Sequence, residues 1–334
     1  MMNTALLLDM AADAAPDRLA LGRRADGLTF DAARRRARGG AAWLAAQGGD
    51  NIVFIGLNGP ALPVAIFAAG LLGKPFAPLN YRLPDADLNK LLARTAPSVA
   101  IVDDDMASRL TPVDGVTVVT RSAFDAACCA DHNCDADLPW VDPDIAVLLF
   151  TSGTTGEPKA AILRHGNLTS YVISTVEFLG AEADEAALVS VPPYHIAGIS
   201  AVLTGVYGGR RIVHLQAFTP EAWVEAASAE AITHAMVVPT MLGRILDVLE
   251  KSGESLPGMK AISYGGGRMP LPVIERALAL LPHVDFVNAY GLTETSSTIA
   301  VRGPDDHRMA IYSDDEAVKR RLGSVCKPVP GLEL

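Results

Sequence analysis

Half of the 334 residues are hydrophobic, which supplies a sizeable core and excludes a disordered chain, and the length corresponds to about two domains or one large α/β unit. With 38 acidic residues against 28 basic ones the formal net charge is −10, which argues against nucleic acid as the main partner. No apolar run reaches the ~20 residues needed to span a bilayer. Met1 to Ala15 lacks a basic region and carries Asp9 and Asp13, a poor secretory signal, so a soluble cytoplasmic protein is expected.

There is no internal repeat and no low-complexity block. Leu28-Thr29-Phe30 followed by Asp31 predicts a short strand feeding a helix N-cap, with the helix from Ala32 to Gln47 stopping at Gly48-Gly49. Arg34, Arg35, Arg36 and Arg38 on that helix are expected to form a solvated face. Asn51 to Leu57 is apolar and β-branched, a buried strand. The longest apolar run, Ala61 to Gly73, predicts a buried helix from Pro63 to Leu72. Pro75 to Leu79 predicts a strand, Asp87 to Thr95 a helix and Val99 to Val102 a strand, with Asp103-Asp104-Asp105 as its exposed end. This alternation predicts a parallel sheet covered by helices. Asp125 to Asp144 is polar and suits a connector.

The four cysteines form no disulfide framework. Cys128, Cys129, His132 and Cys134 lie close together, but adjacent cysteines rarely share one ion in a relaxed geometry and no CxxC pair exists. A linker helix end without zinc is expected there, and Cys326 stands alone.

Ile145 to Phe150 is a strongly apolar strand that ends in a glycine- and threonine-rich loop, and a helix opens after His165-Gly166-Asn167. Later strands are expected at Ala187 to Val191, Arg211 to Leu215, Ala235 to Val238, Ala261 to Tyr264 and Asp285 to Ala289, with helices between them.

The loop Thr151-Ser152-Gly153-Thr154-Thr155-Gly156-Glu157-Pro158-Lys159 suits a polyphosphate. Its glycines let the backbone turn N–H groups inward, its hydroxyls donate at phosphate scale, and Lys159 adds a point charge. The alternative, a plain hairpin or surface turn, does not need four hydroxyls, two glycines and a terminal lysine in that order. The GxxxxGK[ST] pattern of P-loop NTPases fails, because Glu-Pro separates Gly156 from Lys159 and Ala160 follows.

This segment resembles the phosphate loop of the adenylate-forming enzymes: acyl-CoA synthetases, luciferases and the adenylation domains of peptide synthetases. Four more segments resemble the same family in the expected order. Pro78-Leu79-Asn80-Tyr81-Arg82-Leu83 is similar to its PLNxRL element. Tyr264-Gly265-Gly266-Gly267-Arg268-Met269-Pro270 is similar to its glycine-rich acyl and adenine segment, with Arg268 where an apolar residue or proline is usual. Tyr290-Gly291-Leu292-Thr293-Glu294-Thr295 is similar to its YGxTE motif. Leu322-Gly323-Ser324-Val325-Cys326-Lys327-Pro328 is similar to its GSxGKP element, with Cys326 where glycine is common.

The resemblance implies ATP-dependent activation of a carboxylic acid. The carboxylate attacks the α-phosphorus of ATP and pyrophosphate departs, so the protein mainly positions two anions and neutralises their charge. It implies that Thr151, Ser152, Gly153, Thr154, Thr155, Gly156 and Lys159 hold the β- and γ-phosphates. Glu294 would ligate Mg²⁺ and Thr293 would bond the α-phosphate. Tyr290 would stack on adenine, with Asn288, Ala289, Gly291 and the Gly265-Gly266-Gly267 backbone around it. His195 would line the acyl pocket beside the reacting carboxylate. Amino-acid-activating relatives place an aspartate there to pair with the substrate ammonium, and an unpaired buried ammonium is costly, so a plain carboxylic acid is expected. Tyr194, His195, Ala197, Val238, Gly265, Gly267 and Thr298 would line that pocket, which would suit a fatty, aryl or polycyclic acid. Arg268 is either a contact for a second polar group or a surface side chain.

The expected architecture is α/β, with two doubly wound parallel-sheet subdomains packed together and the ligand in the crevice beyond the strand ends. The first spans residues 45–180, and the second joins residues 1–44 to 185–315. Residues 316–334 would begin a small β-barrel. Family members continue about 150–200 residues past the GSxGKP element, a domain's worth. A truncated N-terminal domain without the C-terminal lid is therefore expected, one that binds but turns over poorly. CoA as co-substrate makes the leading reading an acyl-CoA ligase. A carrier-protein ligase, a non-catalytic nucleotide- or acyl-adenylate-binding module and an ordinary ATPase are the alternatives. The sequence leaves the oligomeric state open, a homodimer included.

Overall fold

Two sheets account for the strands, in a computed structural model that describes residues 3–129, 144–151, 158–324, 327–330 and 332. The six-stranded sheet is ordered β6(Val116–Thr120), β5(Ser98–Val102), β3(Asn51–Ile55), β4(Phe76–Pro78), β7(Ile145–Thr151), β8(Lys159–Arg164). All its pairings are parallel except the β7–β8 hairpin.

The nine-stranded sheet is ordered β15(Lys327–Pro328), β14(Ser297–Arg302), β13(Asp285–Leu292), β12(Ala261–Gly265), β11(His234–Val237), β9(Ala186–Val189), β10(Arg211–His214), β1(Leu19–Leu21), β2(Leu28–Thr29). Its centre is parallel, whereas β2, β14 and β15 run antiparallel to their neighbours. In the six-stranded sheet β3 and β5 are buried on both faces almost throughout and carry near-continuous apolar runs, as parallel strands covered by helices do.

Several sequence expectations change. Thr29, not Asp31, caps the helix Phe30–Gln47, with its hydroxyl accepting from Ala32 N–H at 3.2 Å. Asp31 instead pairs with Arg34 at 2.7 Å, and Arg34 also reaches Asp13. Asp103 is not an exposed strand end. It is buried, pairs with Arg121 at 2.6 Å and accepts from Leu57 N–H at 2.7 Å. The next residue, Asp104, accepts from the backbone N–H and hydroxyl of Ser122. Two of the three aspartates thus anchor the helix Arg121–Cys128 to the end of β5. No barrel forms among the described residues after 316. β15 extends the nine-stranded sheet instead, with Ala300 opposite Pro328. His132 and Cys134 lie outside the described residues. Cys128 is buried at its helix end and Cys129 is exposed.

The helix Ala61–Leu72 is apolar all round, as a fully enclosed helix must be, and its residues 61–70 are buried. It shares the largest core cluster with the helices Ala5–Ala14, Phe30–Gln47, His165–Thr175 and Ile196–Tyr207. A second cluster lies on the other face of the nine-stranded sheet, under the helices Pro220–Ala229, Pro239–Ser252 and Leu271–Leu280. No helix among the described residues is long and apolar enough to cross a membrane.

Candidate active site

The glycine- and threonine-rich loop is the connection of a β-hairpin. Thr151 ends β7 and stands directly opposite Lys159, the first residue of β8. The Thr151 hydroxyl donates to Lys159 O at 3.5 Å. Arg94 braces the base of the loop, donating from Nη1 to Pro158 O at 2.6 Å with its guanidinium over the Phe150 ring. Lys159 is exposed. Ser152, Gly153, Thr154, Thr155 and Gly156 lie outside the described residues. The strand β8 was not visible as a separate element in the sequence, because it is short, is bounded by Lys159 and Arg164, and buries only Leu163 fully.

A second loop, on the other sheet, meets this hairpin. After β13 the chain makes a 3-10 turn, Thr293–Thr295, that packs against β8. The Thr295 hydroxyl accepts from Leu292 N–H at 2.9 Å and so fixes the turn. Ser296 then takes a left-handed conformation at φ 60. Glu294 is exposed and Thr293 half-buried. Tyr290 is 41% exposed, which leaves a ring face open for stacking. Thr295 was part of the quoted motif, yet its turn-locking role depends on backbone geometry that spacing does not reveal.

The glycines beside this turn are required by close approach. A Cβ on Gly265 would stand 2.2 Å from Ala289 O, and one on Gly291 would stand 1.8 Å from Ser297 O. Asn288 lies beside Tyr264 and Arg302 in the sheet, and its side chain reaches toward Ser324 O at 3.5 Å.

Below the turn lies a cavity of about 400 Å³ between the nine-stranded sheet and the helix Ile196–Tyr207. Of the residues expected to bind substrate or nucleotide, Ala197, Gly266, Ala289, Gly291 and Thr298 line it. Tyr194, His195, Val238, Gly265 and Gly267 do not. His195 is the N-cap residue of that helix and is exposed near the mouth. Partial desolvation, reinforced by the Arg82 charge, lowers its pKa. Its ring leans on Tyr194, centroids 4.8 Å apart. Val238 and Gly267 sit together at the start of the helix Pro239–Ser252. Arg268 is an exposed side chain outside the cavity lining. Sequence reading missed the cavity's far end, formed by Arg210 and His234. Neither residue belongs to a motif.

A β-hairpin of one α/β sheet, packed through β8 against the YGxTE turn of a second sheet beside an apolar cavity, fits the adenylate-forming class of enzyme domain. The chain belongs to the AMP-binding enzyme family, whose model matches residues 8–334. It is 32% identical over 255 residues to a feruloyl-CoA synthase from Amycolatopsis sp., covering 76% of this chain and 51% of the relative. The chain thus spans about half the length of the curated relatives it matches. Among solved structures, it resembles the N-terminal domain of FACL13 from Mycobacterium tuberculosis with a TM-score of 0.81 at 22% identity, covering 92% of this chain and 80% of that one. It also resembles o-succinylbenzoate CoA synthetase (MenE) from Bacillus subtilis in complex with the acyl-adenylate intermediate OSB-AMP. The TM-score there is 0.77 at 25% identity, covering 97% of this chain and 63% of that one. The family is one of adenylate-forming ligases, and the two-sheet α/β fold is that of its N-terminal domains.

Proposed function

We propose that these 334 residues form the adenylate-making site of an ATP-dependent acid–thiol ligase. The observation that carries this reading is the packing of the Thr293–Thr295 turn against β8, above an apolar cavity. It brings the strand that begins at Lys159 against the turn that carries Thr293 and Glu294.

The residues present suit Mg-ATP. Among the described residues no three His, Cys, Asp or Glu side chains cluster to hold a metal alone. A lone carboxylate such as Glu294, completed by phosphate oxygens and water, is the usual protein share of a Mg²⁺ site. Mg²⁺ held there would neutralise charge on the departing pyrophosphate. Lys159 and the loop hydroxyls would bind the terminal phosphates, and Thr293 would orient the α-phosphate. Tyr290 would stack on adenine.

The cavity would take the acyl body and exclude water from it. Among the described residues Arg82, and no carboxylate, is the charge felt by His195, so the site suits a plain carboxylic acid better than one with an ammonium. The acceptor is a thiol, CoA in the leading reading and a carrier protein in the second. The exposed Cys129 thiol suits a reducing compartment, the cytoplasm.

Thermal-shift titration with AMP and with 5′-O-(N-acylsulfamoyl)adenosines tests the site. Binding to the native state raises stability by RT ln(1 + [L]/Kd). A saturable shift with both ligand types supports the proposal, and no shift with either overturns it. Acid-dependent pyrophosphate release separates a ligase from an ATPase. Assayed alone, the 334 residues are expected to bind better than they turn over.

A further inference from the structure

The cavity is a channel running the depth of the sheet, and its two ends differ in chemistry. Its floor consists of residues on one face of parallel strands in register: Ala289, level with Gly265, at the top, Ser263 and Val287 in the middle, Ala261 and His234 at the bottom. Four residues of strand separate Gly265 from Ala261, about 13 Å at the rise of a parallel strand. Its roof is one stripe of the helix Ile196–Tyr207, from Ala197 through Ser200 and Thr204 to Gly205, about 12 Å at the helical rise. The channel exists because both surfaces carry small side chains where a packed interface would carry large ones. Its upper end opens beside Gly291 and Thr298, next to the Thr293–Thr295 turn.

The lower end is polar. Arg210 donates from Nε and Nη2 to Glu185 Oε2, at 3.1 and 2.9 Å. Lys260 Nζ occupies the other oxygen of that carboxylate at 2.8 Å. Two cations therefore share one anion, and Arg210 Nη1 makes no hydrogen bond among the described residues. The Thr233 hydroxyl donates to Ala186 O at 3.0 Å, so His234 donates from Nδ1–H to Thr233 Oγ1 at 2.8 Å. That tautomer leaves His234 Nε2 as an acceptor. Desolvation, together with the Arg210 charge, lowers the His234 pKa to about 4 and keeps the ring neutral near pH 7. Midway along the roof, Ser200 is 7% exposed and its hydroxyl has no partner among the described residues. The Ser200 hydroxyl is buried, and buried polar groups are normally satisfied; an apolar acyl tail would satisfy neither it nor the partly exposed Arg210 and His234.

We propose that the acid activated here carries a second oxygen-bearing group, a hydroxyl or a carboxylate, at the end remote from its reacting carboxylate, and that His234 Nε2 and Arg210 Nη1 read it. This rests on the acyl-adenylate reading of the site. A hydroxyl would donate to His234 and accept from Arg210; a carboxylate would use Arg210 alone.

The test is a set of sulfamoyl adenosines acylated with decanoyl, ω-hydroxydecanoyl and decanedioyl groups, with AMP alongside, each titrated calorimetrically into the 334-residue chain. At least one ω-oxygen probe is expected to bind about tenfold more tightly than decanoyl, the discrimination that a site with otherwise unpaired polar groups readily exceeds. The tighter of the two names the source. In His234→Phe the ratio of ω-hydroxydecanoyl to decanoyl affinity is expected to fall toward one if the group is a hydroxyl. AMP and decanoyl binding without any preference for oxygen overturns this inference and leaves the adenylate site standing. No binding of AMP or of any probe overturns both. The wild-type comparison decides the matter even if the variant does not fold.

Discussion

The Tyr81 and Tyr194 rings meet edge to face, with centroids 5.6 Å apart. Tyr81 belongs to the loop after β4, in the six-stranded sheet. Tyr194 belongs to the loop that enters the helix over the cavity. The Arg82 guanidinium lies over the Tyr81 ring. One aromatic contact therefore ties the first sheet to the mouth of the site on the second. Tyr81 is 8% exposed. Tyr81→Ala is expected to lower unfolding free energy by about 3 kcal/mol in urea titration. Tyr81→Phe keeps the ring pair and is expected to cost far less. An Ala variant as stable as wild type would show that the contact does not couple the sheets.

Asp103 and Arg121 form a pair at 2.6 Å with both side chains largely enclosed. The pair also closes the backbone of Leu57, whose N–H donates to Asp103 and whose carbonyl accepts from Arg121 at 3.0 Å. Removing one partner strands the other charge, at a typical cost of about 3–5 kcal/mol. Asp103→Ala is expected to fall in that range by chemical denaturation. A loss below about 1 kcal/mol would mean that water relieves Arg121.

His165 gives the protein a defined acid sensitivity. Its Nδ1 accepts from Thr4 N–H at 3.1 Å, so that nitrogen cannot carry a proton without losing the bond. Desolvation lowers its pKa to about 4, against an ordinary value of 6.5. The unfolded chain binds this proton first as pH falls. The stabilising contribution is therefore full above about pH 6.5 and is lost progressively as pH falls toward 4. The slope is at most about 1.4 kcal/mol per pH unit for one such group. Urea titrations at pH 7, 6 and 5 are expected to show falling stability in wild type and a shallower dependence in His165→Gln. Parallel slopes would remove His165 from the account.

Glu294 is exposed and makes no ion pair among the described residues. Glu294→Gln is thus expected to leave stability within about 0.5 kcal/mol of wild type. Under the proposed function it weakens ATP binding measured with Mg²⁺ and leaves AMP binding nearly unchanged. Equal loss for both nucleotides would place Glu294 outside the metal's reach.

Most of the parallel strands and their helices were legible in the sequence because their residues are largely apolar, and Ala61–Leu72 announces itself by having no polar face, whereas β6, β8 and β14 escaped it. The site motifs were legible too, since glycines at close approaches and clustered hydroxyls leave their mark in residue type. Local pattern stops at the residue's own neighbours. It read Asp103 as a strand end, because Arg121 lies far along the chain and meets it only after folding. It expected Val238 and Gly267 in an acyl pocket, whereas Arg210 and His234 line the cavity and those two do not. Which side chains face a cavity depends on strand register and on the helix laid across it, and those are fixed by pairings between distant segments. Chain chemistry determined the family. Tertiary packing alone decided the shape of the channel and what waits at its far end.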